Sequence, residues 1–474
     1  MRPPRICIAA EPKSHKHQSY EPGNQSTRSN PMRRNPVVFE PVSTPLETPI
    51  NVPFKLVGYQ QWFDNDFEPS AVLDEEKIII SDPEQQLQPI IQQVRRMRLI
   101  GVDTETTGPY HSEDQRYALN PINEDCRIVL LQLGNEEQVW IIQPALIPYF
   151  KEVLESTDQL HLAHNWAYDF KWLLVKNNIH PRRLYCSMLA EQLLTAGLLG
   201  YKVNLADCAR RYEPHYLVSK AVRSMFPLLG DGKMTRKMVK YAVRDIPLLF
   251  PVFRAQVKEL IDQDLTFVAQ LEFDNIPVAA EMETGGIYLD EKKLHWLITY
   301  WERRKEEMEE EILTKYSKRR KEMGQTAYII PDWPEVFDLG SNKSKRDALK
   351  KIGVSLDEVQ RDTLLASGDE IAKLLAEYSH ALKMTSTYGG NMLKKINKFT
   401  GRFHPRFYQM GQGSAEEGRD TKETTATGRW AGNAQQFPRE SDGIYAAPLD
   451  EADRKALMAE FAKEIAAADA EYKQ

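Results

Sequence analysis

Leu99–Gly108 reads LIGVDTETTG. The run Leu99-Ile100-Gly101-Val102 is apolar and bounded by turn chemistry, the pattern of a buried strand. It leads into Asp103 and Glu105, with Thr104 between them. Residues i and i+2 of a strand point to the same side, so the two carboxylates stand together at a strand end. Carboxylates that close repel unless a proton or a cation lies between them. Hard divalent cations prefer carboxylate oxygens. A metal-holding strand end is one reading, and a solvated strand end is the other.

The chain has 474 residues, which suits two or three domains, and 42% are hydrophobic, enough for ordinary cores. The formal net charge of −6 excludes a uniformly basic nucleic-acid coat. Contacts with nucleic acid must then come from local basic patches or from metals. Cys7, Cys126, Cys186 and Cys208 lie far apart without CxxC spacing. That argues against a zinc site or a disulfide scaffold and fits a reducing compartment. No apolar run approaches about 18 residues, so no membrane span is expected. The N-terminal stretch lacks a signal-peptide core, and a cytoplasmic location is expected.

Residues 1–55 are rich in Pro, Ser, Asn and Arg and read as a disordered tail. Residues 56–74 carry Tyr59, Trp62 and Phe63 and read as a packing segment with no assigned element. Lys77-Ile78-Ile79-Ile80 suits a short strand. Ser81-Asp82-Pro83-Glu84 starts a helix that runs to about Arg98. Strands are expected at Arg127–Leu133 and Gln138–Ile142, joined by a turn at Asn135 and Glu136. Leu160–Asn165 is a strand running into a helix near Trp166. Asp169 follows Asn165 by one helical turn, on the same face. A helix from about Thr235 to Asp245 sets Tyr241 and Asp245 on one face, and Pro247 ends or kinks it. Alternating strands and helices predict an α/β domain with a mixed sheet over residues 75–262.

Beyond it the pattern turns helical. Gly285-Gly286 is a stop, and Asp290 caps a long helix carrying Leu294, Leu297, Ile298 and Trp301 on one face. Further helices are expected at Lys343–Ile352 and Asp369–Ile396. Residues 441–474 read as a C-terminal helix and tail, with an Ala-rich helical pattern from Glu451 to Gln474.

Singly, DxE, NxxxD and YxxxD are common patterns. The bland readings are a helix-surface charge for Asp169 and a half-buried core aromatic for Tyr241. In order, within one α/β domain, they reinforce one another. GVDTETTG, HLAHNWAYDFKWL and MVKYAVRDIPLL resemble the three motifs of the DEDD 3′–5′ exonuclease superfamily, in its tyrosine-bearing branch. The resemblance implies a ribonuclease H-like fold and two divalent ions, Mg²⁺ or Mn²⁺. By motif, Asp103 and Glu105 would hold the metals, with Asp103 bridging them. Asp245 would complete one metal site, and Asp169 would serve the other through water. Tyr241 would orient the attacking water. Asn165 has two readings, a hydrogen bond to the terminal nucleotide or a cap on its own helix. Lys220, Arg223 and Lys233 read as solvated charge by default, with phosphate contacts as the alternative.

LEFDNIPVAAEMETGGIYLD, FDLGSNKSKRDALKKIG, AEYSHALKMTSTYGGNMLKKI and GRFHPRFYQMGQGSAEEGRDTKETTATGRW resemble, in order, the thumb and palm entry of family A DNA polymerases. The likeness covers residues 265–440 and implies backbone contacts by Arg429, within Thr427-Gly428-Arg429. The cluster Lys343, Lys345 and Arg346 would track a duplex. The palm carboxylates of that family, in DYSxIE-like and HDE-like patterns, are not found after Pro438, so this chain alone is not expected to polymerise.

The fold expected is α/β: a ribonuclease H-like mixed-sheet exonuclease domain followed by a mainly α-helical thumb-like domain. The function expected is a metal-dependent 3′–5′ exonuclease on DNA 3′ ends in a bacterial or phage setting, near the nucleoid. Its partners would be single-stranded DNA ends, a primer–template duplex and a separate palm-and-fingers chain, with no membrane. The alternatives are an RNA-trimming exonuclease and a subunit that docks to such a chain.

Overall fold

Alternating apolar strands and amphipathic helices close into one seven-stranded mixed sheet. The computed structural model describes residues 52–63, 75–108, 119–196, 202–212, 226, 235–325, 337–386, 388–410 and 429–432. Nearly all of the expected N-terminal tail and all of the C-terminal piece lie outside these residues. So do Lys220, Arg223, Lys233, Thr427 and Gly428.

The strands are β1 (Phe54–Gly58), β2 (Glu75–Ile79), β3 (Leu99–Thr107), β4 (Arg127–Gly134), β5 (Val139–Ile142), β6 (Leu160–Ala163) and β7 (Leu184–Cys186), in the order β2-β1-β5-β4-β3-β6-β7. β4 runs antiparallel to β3 and β5, and the other pairings are parallel. The β4–β5 turn follows its chemistry: the Asn135 Oδ1 accepts from the amides of Glu137 and Gln138, each at 2.9 Å. A side-chain carbon at Gly134 would lie 2.3 Å from the Gln138 carbonyl oxygen, so glycine is required there. β1, in a stretch with no clear periodicity, pairs on both sides and buries Phe54, Leu56 and Val57.

The helix expected from Ser81 to Arg98 is two pieces, α1 (Pro83–Gln86) and α2 (Gln88–Arg95). Pro89 lacks an N–H for the Gln85 carbonyl, so the ladder breaks there. Next come α3 (Lys151–Leu154), α4 (Trp166–Asn177), α5 (Ser187–Leu194), α6 (Leu205–Tyr212), α7 (Arg236–Asp262) and α8 (Thr266–Gly285). α7 does not end at Pro247. It runs 27 residues through Pro247 and Pro251. Its buried face, from Met238 to Leu260, packs across β3, β4, β5 and β6, and that burial outweighs the two lost backbone bonds. α8, which resembles the start of the second half, gives Phe273, Ile276 and Ala280 to the same core as the sheet.

The second half is mainly helical, with its own core. A two-residue strand, β8 (Ile287–Tyr288), follows Gly286, and Asp290 caps α9 (Glu291–Glu322) by accepting from the Lys293 amide at 3.1 Å. α10 (Asn342–Lys351), α11 (Arg361–Ala366) and α12 (Glu370–Ser386) pack with α9 around Trp301, Ile312, Leu349, Leu364 and Leu375. α12 stops short of the expected Ile396. A side-chain carbon at Gly389 would lie 2.2 Å from the Thr385 carbonyl oxygen, and the chain turns away there. A short helix, α13 (Gly390–Leu393), leads to β9 (Ile396–Asn397), β10 (Arg402–Phe403), β11 (Phe407–Tyr408) and β12 (Ala431–Gly432). β8 joins β10 and β9, and β11 pairs β12. Among the described residues no helix is long and apolar enough to cross a membrane.

Candidate active site

β3 is the spine of the site. It pairs with β6 only over Leu99–Gly101, which leaves its far end open on that edge. Its register with β4 shifts between Glu105 and Thr106, a bulge at the end of the acidic pair; bulges re-aim side chains and recur beside active sites. Gly101 shares a face with Asp103 and Glu105. A side-chain carbon there would lie 2.9 Å from Ile246 Cγ2 and 3.4 Å from Leu249 Cδ1. Glycine lets α7 lie close on the strand, and Ile246 is the neighbour of Asp245 in sequence.

Close packing gives the first result. Asp103, Glu105 and Asp245 each offer a carboxylate oxygen within 4.8 Å of the others. Glu105 is buried, and Asp103 and Asp245 are half-buried. Three anionic groups so close repel strongly unless a cation or protons intervene. An all-carboxylate oxygen set fits a hard divalent cation such as Mg²⁺ or Mn²⁺.

Asp169, in the first turn of α4, lies outside that group of three and is 2% exposed. Its Oδ1 accepts from the Thr104 amide at 2.9 Å and from the Thr104 hydroxyl at 2.6 Å. The residue between Asp103 and Glu105 thus fastens the fourth acid to the same strand. Thr106 and Tyr168 join hydroxyls at 2.5 Å in the next layer. Burial pushes the Tyr168 phenol well up, against the opposing effect of the Thr106 hydrogen bond, so it stays protonated. Thr104, Thr106 and Tyr168 escaped the motif reading, although Tyr168 directly precedes Asp169 and the threonines alternate with the acids.

Tyr241 is buried, one turn before Asp245, with its ring centroid 6.1 Å from that of Phe226. Asn165 holds the N-cap position of α4 in the left-handed region, φ 66°, and its side chain makes no capping bond. The cap reading of its side chain is therefore not realised.

The expected nucleic-acid contacts divide. Lys343 and Arg346 are exposed on α10, and Arg429 is exposed just before β12. Lys343 lines a cavity of about 280 Å³ with Ser341, Ser344, Asp347, Ala348 and Lys351. Lys345 is a correction. It is 3% exposed, and its Nζ donates to the Ser379 hydroxyl at 2.7 Å. Burial lowers its pKa, with Asp338 opposing. It ties α10 to α12 and is not presented to a phosphate.

Residues 78–261, which include β3, α4 and the site turn of α7, match the family described as 3′-5′ exonuclease. This segment is similar to the 3′-5′ exonuclease domain of the DNA polymerase A type. The chain is also similar to DNA polymerase I of Borreliella burgdorferi, at 23% identity over 339 residues, 68% of this chain and 34% of that protein. It therefore spans about a third of that relative's length. Among solved structures it is similar to the POL domain of Pol1 from M. smegmatis in complex with DNA primer-template and dNTP, with TM-score 0.49, 18% identity and coverage of 76% of this chain and 56% of that one. It is similar also to Escherichia coli RNase D, with TM-score 0.36, 16% identity and coverage of 62% and 73%. The matched segment holds β3 to β7 of the mixed sheet expected of it, and a mainly helical region follows.

Proposed function

We propose that this protein is a divalent-metal-dependent 3′–5′ exonuclease acting on DNA 3′ ends. The observation that carries the reading is the convergence of Asp103, Glu105 and Asp245 within 4.8 Å. Asp169 is anchored to the same strand through Thr104. Two bound divalent ions would supply a hydroxide-like nucleophile near neutral pH and offset charge on the leaving 3′ oxygen. Asp103, Glu105, Asp245 and Asp169 form the holding set. Tyr241, one turn from Asp245 on α7, orients the attacking water with its hydroxyl. Asn165, one turn from Asp169 on α4, donates its free amide to the terminal nucleotide. Lys343, Arg346 and Arg429 meet the duplex backbone, a contact that weakens as salt rises.

Similarity to a DNA polymerase I over 68% of the chain supports DNA over RNA. A separate palm-and-fingers chain is the protein partner we propose. The outer face of α8 supports it: Phe267 is 79% exposed, and Leu271, Val278 and Met282 continue the stripe at helical spacing. An exposed apolar run of that length marks a surface for another chain.

The test uses end-labelled DNA and RNA single strands of one sequence, with Mg²⁺ or with EDTA. The DNA should shorten from its 3′ end in Mg²⁺ and stay intact in EDTA, and the RNA should shorten more slowly. Faster trimming of RNA would overturn the substrate assignment. A primed template with dNTPs should show no extension.

A further inference from the structure

Gln132 lies in β4 directly opposite Asp103 and is 0% exposed. Directly opposed residues of an antiparallel pair share a face, so the amide sits beside the acidic cluster, on the side that α7 covers. Its Nε2 donates to the Ala242 carbonyl oxygen at 3.3 Å, within the turn of α7 that runs from Tyr241 to Asp245. Its Oε1 is buried and has no hydrogen-bond partner among the described residues. A buried acceptor left unmet costs stability, and an apolar side chain would fill the same space without that cost. Packing therefore gives no reason for an amide here.

The helix gives one. Pro247 has no N–H for the Val243 carbonyl, and Pro251 has none for the Pro247 carbonyl. The backbone ladder of α7 is thus interrupted just beyond Asp245. Asp103 and Glu105 belong to the sheet, whereas Asp245 belongs to this interrupted helix. The three meet only while the turn keeps its height on the sheet. We infer that Gln132 is a positioning residue, a peg from β4 that holds the Tyr241–Asp245 turn where Asp245 completes the carboxylate set. The inference rests on the metal-dependent reading proposed above.

The experiment titrates Mn²⁺ alone, without nucleic acid, into the full chain by calorimetry and records thermal melting of the same samples. The samples are wild type, Gln132→Met and Gln159→Met. Gln159 is a buried control amide whose Nε2 donates to the Val94 and Met97 carbonyls at 2.7 and 2.8 Å. Gln132→Met should melt no lower than wild type, and its Mn²⁺ dissociation constant should rise about tenfold, the usual order for loss of a group that orients a ligand. Gln159→Met should melt lower and keep wild-type Mn²⁺ affinity. Hydrogen exchange should quicken at the Tyr241–Asp245 amides of Gln132→Met and stay unchanged in α4. If Gln132→Met folds poorly, Gln132→Leu is read in the same way. Wild-type Mn²⁺ affinity in a folded Gln132 variant, or an equal loss in Gln159→Met, would overturn the inference and leave the metal reading intact. A wild-type chain that takes up no Mn²⁺ overturns both.

Discussion

Gly101 and Thr104 flank Asp103 and do opposite jobs. Gly101 must be small, because a methyl there would meet Ile246 Cγ2 at 2.9 Å. Gly101→Ala should destabilise the exonuclease domain by about 1–3 kcal/mol, the usual cost of overpacking, and should cut nuclease activity more than stability, because it lifts the Asp245 turn. Thermal melting and initial rates on the same variant check this. Thr104 must be polar, because its hydroxyl donates to Asp169. Thr104→Val keeps the shape and the backbone bond and should cost about 1 kcal/mol while lowering the rate severalfold. The acids themselves were legible in sequence, because a DxE after an apolar run has few other uses in that order with NxxxD and YxxxD. Thr104 was not, because its value depends on an Asp 65 positions away. Lys345 was misread for a related reason: a lysine among lysines looks solvated until the fold buries its stem against Ser379.

Among the elements, α7 and α12 show where local rules hold and where packing overrides them. Proline rules predict a stop or a kink at Pro247, and a long buried face carries α7 on to Asp262. Capping rules hold at α12. The Asp369 carboxylate accepts from the amides of Ile371 at 2.9 Å and Ala372 at 3.0 Å and pairs with Arg319 of α9. Burial by itself would raise the Asp369 pKa, but Arg319 and the two amides outweigh it and hold the carboxyl below its ordinary value. A carboxyl lowered by folding stabilises at pH above its unfolded pKa and loses that contribution as pH falls through the folded one. The thumb-like half should therefore weaken as pH falls below about 4. Asp369→Asn should be less stable at neutral pH by about 1 kcal/mol and should show a flatter acid limb. Melting curves across that pH range check both.

At the scale of the whole molecule, the two halves are tied through Glu283. Its Oε2 accepts from Lys171 of α4 at 2.5 Å, and its Oε1 accepts from the Phe407 amide of β11 at 2.6 Å. Asn397 of β9 donates to Asn123 at 3.0 Å, and Lys176 of α4 donates to the Asn123 carbonyl at 2.8 Å. α4 thus carries Asp169 in its first turn and, through Lys171 and Lys176, bonds to Glu283 and Asn123, the residues that meet β11 and β9. Glu283→Ala should loosen β11 and lower the melting temperature more than a surface carboxylate would, because it strands both the Lys171 ammonium and a backbone amide. The mixed α/β character, the helical second half and the acidic motifs were legible because each follows a local period or spacing, whereas the strand order β2-β1-β5-β4-β3-β6-β7 was not. The junction was not, because the pairs Lys171 and Glu283, Phe407 and Glu283, and Asn397 and Asn123 each join residues more than a hundred positions apart. The central claim is that Asp103, Glu105, Asp169 and Asp245 form one metal-dependent hydrolytic site. It is tested most directly by incubating purified wild type, Asp103→Ala and Asp245→Ala with 5′-labelled single-stranded DNA and Mg²⁺. The account predicts progressive 3′ shortening by wild type, a weaker rate with Tyr241→Phe as an internal control, and none by either acid variant although both stay folded. Wild-type rates in folded Asp103→Ala or Asp245→Ala would contradict it.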